Sequence, residues 1–107
     1  MPWYGYAIHF LAGALLANTV PHFGCGISGE KFQSPFANPP GVGLSPPLTN
    51  VLWGFANLVA GYLLLVSFTH TGEERSYADL AAIAAGVLVT GVMLALHFGR
   101  VRGNQAG

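Results

Sequence analysis

Fixed charge is scarce in this chain. Four basic and four acidic side chains make up 7% of its 107 residues, where a soluble domain carries about a quarter. So few charges could hardly cover the surface of a soluble globule of this size. The net charge is zero, and no basic cluster is present to neutralise a phosphate backbone, which argues against a nucleic-acid partner. A single cysteine, Cys25, excludes an internal disulfide and says nothing about redox compartment. Metal-ligand spacing is missing too. His22 and Cys25 lie three apart, but a zinc site usually takes four ligands and no second cysteine exists. No nucleotide-binding loop and no nucleophile–base motif stands out, so the sequence points to no metal and no cofactor, and leans against an enzyme.

What the chain has instead is apolar length. Hydrophobic residues reach 52%, and three long apolar stretches fill most of the sequence. The expected fold is an all-α membrane protein with three transmembrane helices at about 3–20, 48–70 and 78–98. A long, ordered Pro/Gly-rich loop, residues 21–47, would join the first helix to the second within one integral membrane domain spanning 1–107. Trp3, Tyr4 and Tyr6 crowd the start of the first stretch, as an interfacial aromatic belt does. Positions 2–9 hold no Lys or Arg, so this stretch reads as a retained helix rather than a cleaved signal. Pro21 is expected to end it or kink it. Thr49 or Asn50 can cap the second helix, and Arg100 and Arg102 follow the third, where cations suit the helix dipole and the membrane edge.

Orientation rests on few groups. Lys31, Arg100 and Arg102 fall on one side and Arg75 on the other. This bias favours the first loop and the C-terminus in the cytoplasm, with the N-terminus outside. The short charged connection at 71–78 forces the second and third helices to run antiparallel. Glu73 and Glu74 read as its solvated cap.

The loop carries six prolines and five glycines, which forbid regular helix or strand over most of its length. It also carries Phe23, Phe32 and Phe36, too apolar for a disordered linker. It is expected to fold back over the helix ends.

Polar side chains in lipid are costly, so their positions carry information. Asn50, Gly54, Asn57 and Gly61 form one stripe on the second helix, at spacings that let another helix approach closely. Asn18 and His22 lie four apart on the first helix, and His97 lies at the same end of the third. With Trp53, these residues (Asn18, His22, Asn50, Asn57 and His97) are the candidate ligand-binding set, beneath the loop. The simpler reading has the asparagines bonding each other or the loop carbonyls. Topology puts His9 at the opposite membrane surface from His97, so the two cannot share a haem. Nine residues from Asn18, His9 is expected to face roughly the other way, toward a partner or the headgroups. No acidic residue is expected within a span, which weighs against proton-coupled transport.

The expected function is a small multi-pass accessory or scaffold subunit, embedded in the lipid bilayer, that packs against other membrane subunits or against itself. The alternatives are a ligand-binding or enzymatic module with a pocket under the 21–47 loop, and a homo-oligomeric channel or carrier lined by Asn50 and Asn57.

Overall fold

A computed structural model of the chain describes residues 3–67 and 77–106, without the side chains of 104–106. The end of the second apolar stretch at His70 and the short charged connection after it lie outside the described residues. The elements run α1 (Trp3–Ile27), β1 (Phe32–Gln33), β2 (Leu44–Ser45), α2 (Pro47–Ser67) and α3 (Tyr77–Ala106). All three helices are long and apolar enough to cross a membrane. At 1.5 Å per residue they measure about 37, 31 and 45 Å, against a hydrocarbon core of about 30 Å.

Two boundaries differ from the sequence reading. Pro21 does not end the first helix, and α1 runs through it to Ile27. Proline removes only one donor, the one that would serve the carbonyl of residue 17, and packing holds the helix together on both sides of the gap. His22 and Gly26, past the proline, are both buried. The helix stops one turn later, where Gly29 takes φ 75° and Glu30 N donates to Cys25 O at 2.9 Å, a glycine-assisted C-terminus. Gly99 likewise fails to stop α3, which continues through Arg100 and Arg102 to Ala106.

The link between α1 and α2 is therefore 28–46. It contains a minimal antiparallel hairpin in which Phe32 pairs with Ser45 and Gln33 with Leu44. Gly41, at φ 74°, closes the turn that returns the chain, and its N–H reaches Ser34 O at 2.8 Å.

α1 is the spine. It packs along both α2 and α3, which make few contacts with each other. Glycine sets both approaches. A Cβ on Gly13 would collide with the Ile83 carbonyl, and one on Gly86 with the Phe10 carbonyl, so α1 and α3 cross backbone to backbone. On the other side, a Cβ on Gly54 would lie 2.7 Å from Phe23 N, and one on Gly26 would lie 2.6 Å from Val51 Cγ2. The buried residues of α2 are Asn50, Gly54, Asn57 and Gly61, the stripe read from their spacing.

Burial is inverted relative to a water-soluble domain. Among the described residues the buried hydrophobic side chains are Ala12 and Phe32, whereas His9, His22, Gln33, Ser34, Asn50 and Asn57 are all buried. Large apolar side chains such as Leu52, Phe55, Leu58, Leu88, Met93 and Leu96 point outward. Water would penalise that surface and lipid would not. The pattern fits a membrane location.

Candidate functional site: the polar seam between α1 and α2

Asn50 sits in the first turns of α2 and is fully buried. Its side-chain nitrogen donates to three carbonyls, Phe32 O at 3.2 Å, Ser45 O at 3.1 Å and Pro46 O at 3.2 Å. Three carbonyl acceptors around one atom fix which end of the amide is nitrogen. Its oxygen therefore faces His22 Nδ1 at 2.9 Å, and an amide oxygen can only accept. The proton of neutral His22 must then lie on Nδ1, leaving Nε2 as the acceptor. One asparagine thus ties together α1, the hairpin and the start of α2.

Aromatic edges surround the His22 ring. Phe32 stands 5.4 Å away, Phe98 6.2 Å and Trp53 6.4 Å, each near perpendicular. Phe32 and Phe98 meet at 4.6 Å, and Phe36 stands edge-on to Trp53 at 5.1 Å. These contacts press the hairpin against the helices. A second clasp lies inside the hairpin, where the hydroxyls of Ser34 and Ser45 bond at 2.6 Å and Ser34 Oγ also accepts from Phe36 N at 3.1 Å. At its outer edge, Arg102 Nη1 donates to Gln33 Oε1 at 3.3 Å, and its guanidinium carbon lies 5.0 Å from the centre of the Phe32 ring.

Deeper along the same seam, Asn18 Nδ2 donates to Asn57 Oδ1 at 3.1 Å, and Asn57 Nδ2 donates to Trp53 O at 2.8 Å. The six residues singled out from sequence thus separate into three groups. Asn50 and His22 form one bonded pair, with Trp53 beside the ring, and Asn18 and Asn57 form a second. His97 stands apart on the exposed side of α3, donating from Nε2 to Gly41 O at 2.8 Å. A shallow depression of about 240 Å³ touches Trp53 and Asn57, but its other lining residues are Leu15, Ala56 and Ala60. The buried Nε1 of Trp53 has no hydrogen-bond partner among the described residues.

Two features went unseen in the sequence. His9 was expected to face a partner or the headgroups, yet it is buried at 1% exposure, with Nδ1 3.6 Å from Asp79 Oδ1. The expectation of no acid within a span also fails, at Asp79. It is buried in the first turn of α3. An angular argument on a lone helix cannot say where two neighbours will dock, and α1 has neighbours on both sides. Asp79 and Gly86 are seven apart, and that shared face of α3 was the available signal. Gln33, Ser34 and Ser45 gave no signal at all, because their burial comes from a hairpin only two residues deep.

Chemically, the seam pairs neutral donors with neutral acceptors. Cys25 is a half-buried free thiol, and no group of three or more potential metal ligands occurs among the described residues. The chain matches no family model, no curated protein and no solved structure, so the functional argument rests on the geometry of its own helices.

Proposed function

We propose that this chain is a small multi-pass accessory or scaffold subunit that lays the outward face of α3 against transmembrane helices of a partner. The observation that carries this reading is a contrast between two exposed surfaces. The outward face of α2 consists of Leu52, Phe55, Leu58, Val59 and Leu63, bulky side chains that lipid tails accept. The outward face of α3 carries Ala81 and Ala85 toward one end and Gly99 and Gly103 toward the other, all exposed, with Leu88, Val92 and Leu96 exposed between the two pairs. At 3.6 residues per turn the four small residues fall within about 40° of one another, turned roughly 120–140° from Gly86 and Asp79. Nothing lies within 4 Å of where a side chain on Gly99 or Gly103 would begin. In membranes, small residues at four-residue spacing serve close helix–helix approach, because the hydrophobic effect gives helices no reason to associate in oil.

The hydrogen bonding supports the same choice over a pocket or a pore. Asn18, His22, Asn50 and Asn57 spend their bonding capacity on one another and on the hairpin. Asn50 and Asn57 are buried against α1, an unsuitable place for pore-lining groups.

A photo-crosslinking amino acid at Ala85, in native membranes, should give one discrete protein adduct, and the same group at Leu58 should give none. Lipid-only labelling at both positions would defeat the proposal.

A further inference from the structure

α1 and α3 touch tightly at one level and then part. Their closest approach is the glycine crossing, Gly13 on Ile83 and Gly86 on Phe10. Toward the hairpin end they diverge, leaving a wedge of about 590 Å³ that is open to the side. One wall is Ala17, Val20 and Pro21, and the other includes Gly91, Ala95 and Gly99. Val87, the residue after the crossing, also lines it, as does Arg102 at the hairpin end. No neighbour lies within 4 Å of where side chains on Gly91 and Gly99 would begin, so the floor is unfilled.

Depth identifies the occupant. Val87 to Arg102 is about 22 Å along a helix at 1.5 Å per residue. One leaflet, half of a ~30 Å hydrocarbon core plus one headgroup layer, measures about 20–22 Å. A spanning helix would need the full thickness, and the glycine crossing blocks the wedge halfway. Charge agrees with depth. Arg102 is the one charged residue lining the wedge, and it sits where a lipid headgroup would be. One of its N–H donors goes to Gln33, leaving the rest of the guanidinium fork for a phosphate. Lys31 and Arg100 are exposed at the same end, against the lone acid Glu30. Arginine at the mouth and nothing but apolar lining below it match a single-tailed slice of an anionic amphiphile.

We propose that the wedge between α1 and α3 is a binding site for one anionic glycerophospholipid from the hairpin-side leaflet, with an acyl chain along Gly91 and Ala95 and its phosphate on Arg102. The wedge adjoins the partner face and shares Gly99 with it at one edge, while its other lining residues lie off that face.

Native mass spectrometry of the full chain in detergent tests this, using phosphatidylglycerol and phosphatidylcholine of identical acyl chains. The expected result is one phosphatidylglycerol held at activation energies that strip phosphatidylcholine, undisturbed by excess inorganic phosphate. Arg102→Gln should cut that retention at least fivefold, to the phosphatidylcholine level, while Arg100→Gln leaves it within twofold. Ala95→Phe, which fills the wedge without touching the hairpin, should lower retention of both lipids; circular dichroism confirms that each variant keeps its helices. Equal retention of the two lipids by the native chain would overturn the proposal. So would competition by free phosphate, or a protein partner rather than a lipid lost from Ala95→Phe.

Discussion

Asn50 holds three segments of chain with one side chain, and that makes it the residue most costly to lose. Leucine at this position removes the donor to Phe32 O, Ser45 O and Pro46 O and the acceptor facing His22. A buried group left unsatisfied costs about 1–3 kcal/mol. Asn57→Leu breaks the bond to Asn18 and the bond to Trp53 O, and interhelical bonds in membranes average about 0.6 kcal/mol. Unfolding by sodium dodecyl sulfate in mixed micelles should therefore rank Asn50→Leu as the more damaging by at least about 1 kcal/mol. Equal losses would mean that the hairpin does not depend on Asn50. Spacing on one helix exposed the Asn50–Asn57 stripe because a stripe is a local property. The asparagines do bond each other or the loop carbonyls, as the simpler sequence reading had it; which carbonyls, and the pairing of Asn50 with His22, 28 residues away, depend on how the hairpin folds and could not be read from spacing.

The helices divide their glycines between two duties. Gly13 and Gly86 let two backbones touch, whereas Gly91 faces open space. Adding a methyl at the first pair forces α1 and α3 apart, and overpacking typically costs about 1–3 kcal/mol. The same methyl at Gly91 meets nothing and improves helix propensity by about 1 kcal/mol. Gly86→Ala should thus lower the thermal midpoint in detergent while Gly91→Ala holds or raises it. If both variants melted alike, the crossing would not be a tight one. The apolar stretches announced all three helices, because a run long enough to cross a bilayer needs no partner to be recognised. Their ends were less legible. Pro21 reads as the end or a kink of the first helix, yet α2 packs against the turns beyond it and the helix persists to Ile27. Gly99 invites a stop, but the helical turns after it keep Arg102 against Phe32 and Gln33.

The molecule as a whole is 50 Å long and 24 by 20 Å across, close to the ~40–45 Å of a bilayer with its headgroups. Its buried side chains are mostly polar and its leucines face outward, an arrangement that fits lipid rather than water around it. Diluted below the critical micelle concentration in plain buffer, the chain should aggregate, and light scattering would register this. A monodisperse monomer in that buffer would contradict the membrane assignment. The order of the elements also bears on how the protein is made. α2 and α3 both dock on α1, which leaves the ribosome first. Translation thus delivers the template before the parts that need it, and each later segment meets a finished surface as it emerges. The arrangement also has a vulnerable point: a lesion in α1 strips both other helices of their support at once, whereas damage to α3 spares the Asn50–His22 and Asn18–Asn57 bonds between α1 and α2 and removes only the outer braces of the hairpin.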